Sequence, residues 1–261
     1  PGHADYTGAL RYRGFNDVRG GGHFSGRLTA PLCFAGAVAG QILEKRGIYV
    51  GAHIAEIHGI KDKAFDPINT TKDMIREVRE KEFPTIIDVQ GNEMIKEIDK
   101  ARKDKDSVGG IIECIAINVP AGIGSPIFDG LENSIAQLIF GIPAGKGLEV
   151  GAGFKVAEMT GSENNDEFYV NDKGHVVTKT NNHGGILGGI ASGMPITLRV
   201  AFKPTPSIAR PQATVDYSAM KNETLEVKGR HDPCVVPRAV PCVEAAVNIA
   251  LLNHMLEYPN F

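Results

Sequence analysis

Apolar residues recur at helical spacing between Leu28 and Arg46, where Leu32, Ala35, Val38, Ala39, Ile42 and Leu43 fall on one side. Thr29 with Pro31 supplies a start for this helix and Gly47 a stop. Ile48 to Ile60 follows as a strand. Asp62 to Asp106 is charge-rich and mostly helical in pattern, with Glu93, Lys96, Lys100 and Arg102 on exposed faces, the signature of a solvated helical excursion. Ile111 to Val119 is a short continuous apolar run and predicts a buried strand. Asp129 to Phe140 predicts a second amphipathic helix, and Leu148 to Met159 a glycine-punctuated strand. Gly161 to Gly185 is polar, a long loop or flap in which Phe168–Val170 and His175–Thr178 form a small hairpin. Ile196 to Phe202 is another strand. A last helix, Val240 to Leu256, carries Val240, Val243, Val247, Ala250, Leu251 and His254 along one stripe.

Helices and strands alternate irregularly, without βαβ spacing, which points to an α+β layered sandwich rather than a doubly wound sheet. A faint internal echo adds pseudo-symmetry. Arg27-Leu-Thr-Ala-Pro31 opens one Ala-rich helix and Arg238-Ala-Val-Pro241 another, each after a segment rich in Gly, His and Arg.

Composition narrows the function. A net charge of −3 argues against a general nucleic-acid binder, which needs a basic excess. No uninterrupted apolar stretch approaches the roughly 20 residues of a membrane span, and no signal peptide opens the chain. The four cysteines, Cys33, Cys114, Cys234 and Cys242, form no C-x-x-C pair, so no zinc or other metal site is indicated. Cys33, Cys114 and Cys242 lie in apolar runs and fit buried thiols, in keeping with a reduced, cytoplasmic setting. Glycine is abundant at 31 residues and clustered, as where backbone passes close to a ligand or through tight turns. The chain opens at Pro1 without a methionine, which raises a processed or truncated start as an expectation.

Four clusters carry candidate chemistry, each with a plainer alternative. In Pro1-Gly-His-Ala-Asp5, a histidine two residues from an aspartate could serve as an oriented acid/base group, or be a simple terminal histidine. In Asp17-Val-Arg-Gly-Gly-Gly-His-Phe-Ser-Gly-Arg27, three glycines before a helix free backbone N–H groups for an anion, with Arg19, His23 and Arg27 as cationic donors. The alternative is a flexible turn. Neither a Walker loop nor a dinucleotide fingerprint is present. In Asn181 to Gly193, paired glycines at 184, 185, 188 and 189 would let a flat ring lie on backbone, or mark a crowded crossing. In Gly229-Arg-His-Asp-Pro-Cys-Val-Val-Pro-Arg-Ala-Val-Pro241, prolines stiffen Arg230, His231 and Asp232, where Asp232 could otherwise only cap a helix. Arg19, Arg27, Arg199, Lys203, Arg230 and Arg238, concentrated in or beside such segments of an acidic chain, suggest a site for a multiply anionic small molecule.

These clusters resemble the motifs of the chorismate synthase family. Pro1-Gly-His-Ala-Asp5 is similar to its R-P-G/S-H-A-D, Asn182 to Ile190 to its N-x-G-G-I-x-G-G-I, and Lys203-Pro-Thr to its K-P-T. Gly229-Arg-His-Asp-Pro-Cys-Val with Arg238-Ala-Val-Pro241 is similar to its G-R-H-D-P-C-V…R-A-V-P. Order and spacing agree along the whole chain.

The resemblance implies the family's fold, a pseudo-symmetric β-α-β sandwich. It also implies a lyase of the shikimate pathway to the aromatic amino acids, converting 5-enolpyruvylshikimate 3-phosphate to chorismate and phosphate by anti-1,4-elimination. Reduced FMN is required in that family, with NAD(P)H as a candidate reductant, and the assembly is a homotetramer. By motif, His3 corresponds to the histidine that protonates or neutralises the reduced flavin, and Asp232 to the acid that assists proton removal. The resemblance assigns FMN contacts to His23, Phe24, Ser25, Pro143, Ala144, Gly188, Lys203, Pro204, Thr205, Pro206, Ser207 and Arg230. It assigns substrate anions to Arg27, with Arg230 shared. The usual glycine segment reads G-G-G-R-S-S-A-R, so His23 stands for an arginine and Phe24 for a hydroxyl residue. The family's N-terminal G-x-S-H-G motif has no counterpart here, and 1–261 is expected to be the family domain without its N-terminal part. Two other readings are an NAD(P)H-dependent flavin reductase and a catalytically incomplete anion-binding fragment.

Overall fold

Alternation in three neighbouring strands builds the core. Val50, Ala52 and Ile54, then Ile112, Cys114 and Ala116, then Leu198, Val200 and Phe202 all turn to one buried cluster shared with the helices. The computed structural model describes residues 2–229 and 232–258. In chain order the helices and strands are α1 (Asp5–Tyr12), α2 (Thr29–Lys45), β1 (Tyr49–Ile57), β2 (Ile60–Lys61), α3 (Lys72–Arg79), α4 (Asp88–Lys103), β3 (Gly110–Ile117), α5 (Leu131–Phe140) and β4 (Gly145–Val150). They continue with α6 (Gly161–Asn164), β5 (Phe168–Val170), β6 (Val176–Thr178), β7 (Ile186–Leu187), β8 (Ile190–Ala191), β9 (Ile196–Phe202), β10 (Gln212–Asp216), β11 (Lys221–Leu225) and α7 (Val236–Glu257).

One antiparallel sheet of order β2-β1-β3-β9-β4 forms the main β layer, and β5-β6, β7-β8 and β10-β11 are separate hairpins. Helices α2, α5 and α7 cover the inner face of the sheet. The outer face carries a smaller apolar cluster of Phe65, Ile75, Val78, Ile115 and Ile117, with α3 lying so close to β1 that a side chain at Gly51 would meet Ile75 at 2.4 Å. The architecture is α+β, as the pattern implies. Among the described residues it comprises one large sheet and one inner helix layer.

Helices α2 and α7 run side by side in the same direction. Cys33 meets Cys242 at 3.6 Å between sulfurs, a Cβ at Gly36 would strike Ala245 at 2.2 Å, and one at Gly40 would meet Asn248 at 2.9 Å. The contacts rise together along both helices, so the helices are parallel. The Arg…Pro echo in the sequence therefore marks the starts of two adjacent, co-directional helices. Helix α7 is long and apolar enough to cross a membrane, but 67% of that stretch is buried inside the protein, and it is the core helix of this fold.

Several expectations change. Ile48 to Ile60 is a hairpin, since His58 and Gly59 take positive φ of 46° and 87° and fold the chain back with Ile57 opposite Ile60. The strand drawn to Met159 stops at Val150, because Gly151 and Gly153 at φ 58° turn it into a 3₁₀ segment. The charge-rich excursion does contain α3 and α4, with exposed Lys96–Glu93 and Arg102–Asp99 pairs. Its first residue is not solvated, however: the Asp62 side chain is fully buried against His53. Helix α1 and the β10–β11 hairpin were not anticipated.

Candidate active site

The glycine-rich loop before α2 can form only with glycine. Gly20, Gly21 and Gly22 all have positive φ, and a Cβ on Gly22 would lie 2.1 Å from the Asp17 carbonyl. Arg27 fastens the loop by donating from Nη2 to the Gly20 carbonyl (2.7 Å) and from Nε to Ser25 Oγ (3.0 Å). Ser25 Oγ also accepts the Arg27 backbone N–H at 3.3 Å, capping the short turn that leads into α2.

This loop forms one wall of a cavity of about 780 Å³, within the size range of cofactor and small-molecule sites. His3, Phe24, Ser25, Arg27, Pro143, Ala144, Lys203, Thr205, Pro206, Ser207 and Asp232 all line it. Thr29, at the start of α2, and Val235 and Arg238, at the start of α7, line it too. Two parallel helices thus turn their N-terminal ends, the positive poles of their dipoles, toward one space.

The histidine is oriented differently from the sequence expectation. Asp5 does not hold the ring of His3; its Oδ2 accepts the backbone N–H groups of Gly2 and His3, both at 3.0 Å. The ring instead places Nε2 3.2 Å from the Phe24 carbonyl, so Nε2 carries the hydrogen and Nδ1 is left for a proton or a partner. Asp232 receives the Cys234 N–H at 3.2 Å on Oδ1 and meets Arg238 at 3.3 Å on Oδ2. It therefore organises the turn before α7 and faces the cavity at the same time. Lys203 forms no ion pair among the described residues, and burial, with Lys146 nearby, holds its ammonium below the usual lysine range. Among the described residues Thr205 Oγ1 is buried without a hydrogen-bond partner, which is costly unless a ligand supplies one. Ala144 adopts φ 72°, a strained conformation at the cavity wall, and its carbonyl accepts the Lys203 N–H at 3.0 Å.

Other expected residues lie elsewhere. Arg19 is engaged by Asp17 through two bonds of 2.9 Å, and His23 is exposed beside the Tyr12 ring. Pro204 is exposed at the edge of its segment. Gly188 sits in the β7–β8 turn, away from the cavity, while neighbouring Gly189 packs against Ser125 and Gly130. In that segment a Cβ at Gly184 would meet Gly151 and one at Gly185 the Pro195 carbonyl, whereas Gly188 has open space around it. Arg199, grouped with the cavity cations by sequence, is on the opposite face of the sheet and pairs with Glu149. Arg230 lies outside the described residues.

Sequence reasoning missed a second constellation on that outer face. His53 Nε2 lies 2.7 Å from Glu113 and Nδ1 3.1 Å from Asp62, all buried. Their trace in the sequence is a histidine and a glutamate within two largely apolar strands.

Comparison with known proteins follows the same path. A family profile described as chorismate synthase matches residues 1–256. The chain is 52% identical over 260 residues to a chorismate synthase of Korarchaeum cryptofilum and 50% identical over 257 residues to one of Pyrococcus abyssi. Each alignment takes in 98% of this chain and 70% of the relative. A crystal structure of chorismate synthase superposes with a TM-score of 0.77 at 30% identity, over 98% of this chain and 70% of that one. The motif order, the cavity on which the His3, Lys203 and Asp232 segments converge and these likenesses agree, and the chain belongs to the chorismate synthase family.

Proposed function

We propose that the 780 Å³ cavity carries out the family's elimination, releasing phosphate and a proton from 5-enolpyruvylshikimate 3-phosphate to give chorismate, with reduced FMN bound beside the substrate. The observation that carries this reading is the convergence of His3, Ser25, Arg27, Lys203, Thr205 and Asp232, from distant parts of the chain, on one space. The residues suit the cofactor: the glycine cradle, the unpaired Lys203 and the orphaned Thr205 hydroxyl offer backbone, charge and hydroxyl to an anionic ring system and its phosphate. When bound, reduced flavin supplies transient electron density to the substrate.

The protein's own groups do the rest. Arg27, Lys203, Arg238 and the two helix N-termini hold carboxylate and phosphate groups and stabilise the charge that develops on the leaving phosphate. Asp232, anchored by the Cys234 N–H and Arg238, is positioned to accept or relay the departing proton. His3, with Nε2–H turned to Phe24, keeps Nδ1 available to hold a second proton near the negative ligands. A homotetramer belongs to the same proposal, supported by the apolar side chains that Phe168, Val170 and Val176 expose on the β5–β6 hairpin. A cytoplasmic setting is supported by four free thiols.

An anaerobic titration tests the shared cavity. Each ligand forms a wall of the other's site, so reduced FMN should bind about tenfold tighter when the enolpyruvyl phosphate is present. Equal affinity with and without it would count against this function.

A further inference from the structure

The outer face of the sheet holds a row of charge that the elimination does not use. Strand register sets His53 of β1 opposite Glu113 of β3, Glu113 opposite Arg199 of β9, and Arg199 opposite Glu149 of β4. Asp62 closes the His53 end of the row, bonded to its Nδ1 and to the backbone N–H groups of Ile86 and Ile87. Arg199 pairs with Glu149 at the other end. At the middle the row is open: Glu113 and Arg199 are cross-strand neighbours yet form no ion pair with each other.

A cavity of about 460 Å³ lies over this opening and shares no lining residue with the larger one. Its floor includes Glu113, Arg199 and Thr197, and its apolar wall Phe65, Ile68 and Ile111. A bulge at Ala55 interrupts the β1–β3 ladder beside it. The Glu113 side chain is 11% exposed; Oε2 takes His53 and the Phe65 N–H, and Oε1 makes no hydrogen bond among the described residues. Arg199, at 45% exposure, has guanidinium donors beyond those facing Glu149.

A near-buried carboxylate oxygen and a guanidinium, held a cross-strand spacing apart and engaged from behind, match a ligand carrying both charges a few ångströms apart. An anion alone would meet Glu113 and a cation alone would meet Arg199. We propose that this cavity binds a free α-amino acid with an apolar side chain, its ammonium on Glu113, its carboxylate on Arg199, and its side chain against Phe65 and Ile68. The volume suffices for such a molecule, and the inference is independent of the reaction assigned to the other cavity.

Calorimetric titration with L-leucine, L-phenylalanine, L-leucine methyl ester and N-acetyl-L-leucine decides the matter. The free amino acids should bind one to one. Each cap should weaken binding about tenfold or more, the scale of one lost hydrogen bond to a charged group. Arg199→Met, checked for an intact melt, should remove the preference for the free carboxylate, whereas Arg27→Met, in the larger cavity, should leave this binding unchanged. The proposal falls if neither amino acid binds at about 10 mM, if either cap is tolerated, or if Arg27→Met rather than Arg199→Met abolishes the signal.

Discussion

The two cavities lie on opposite sides of one sheet and are built by opposite means. The larger is assembled from loops and helix starts: positive-φ glycines, a strained Ala144 and the first turns of α2 and α7 bring backbone and cations together. The smaller is laid on the sheet itself, its charged residues fixed by register and locked from behind by buried partners. The first construction gives a roomy space in which Thr205 Oγ1 has no hydrogen-bond partner and Lys203 no ion pair among the described residues. The second gives a floor whose charges are held from behind, Glu113 by His53 and Arg199 by Glu149, with Glu113 Oε1 left open among the described residues. One fold thus offers two separate spaces on the two faces of its strands.

Three measurements would break or sharpen this contrast. The largest effect is expected for Asp232→Asn, which keeps an acceptor for the Cys234 N–H but removes the basicity. Chorismate formation in an anaerobic single-turnover assay should fall about 10²–10⁴-fold with the fold retained and the outer cavity indifferent. An unaltered rate would reduce Asp232 to a turn residue. Next is Gly36→Ala, whose Cβ would collide with Ala245 at the α2–α7 contact. Overpacking there should cost about 1–3 kcal/mol, partly offset by about 1 kcal/mol of helix propensity, and lower Tm. Gly26→Ala points into open space and should stay within about 0.5 kcal/mol of the parent. Should the two alanines behave alike, the helix pair is not the tight joint described.

The smallest effect belongs to the outer face. Burial works against a charged His53 ring, but hydrogen bonds to Asp62 and Glu113 outweigh it and raise its pKa above 6.5. The resulting stabilisation is complete below that value and is lost as pH rises through the higher folded pKa. Denaturation midpoints of the parent should therefore fall across that window more steeply than those of His53→Gln, which cannot titrate. Parallel slopes for the two proteins would show that the imidazolium contributes nothing.

What the sequence made legible follows the same division. Helix α2 and strands β3 and β9 could be read because their periodicity is local and strong. The glycine loop, Lys203 to Ser207 and Asp232 could be read because short-range chemistry and resemblance mark them. The end of β4 was obscured because Gly151 and Gly153 act through their positive φ, which composition does not display. The His58–Gly59 turn was hidden because histidine is not a usual residue for that conformation. His53, Glu113, Arg199 and Glu149 lie on four strands up to 146 positions apart, and only register makes them neighbours. Sequence alone therefore groups Arg199 with Arg27 and Lys203, from which the sheet separates it.

The parallel contact between α2 and α7 also has a temporal meaning. Cys33 and Cys242 are 209 positions apart, so at about 5–20 residues per second the ribosome needs roughly 10–40 s to deliver the second helix after the first. During that interval α2 has no partner for its small-residue seam, and the early strands lack the helix that seals them. The nascent polypeptide must therefore wait with apolar surface uncovered, a natural point for chaperone capture. Docking of α7 then covers the inner face of the sheet, and the Asp232, Val235 and Arg238 wall joins the larger cavity in the same event.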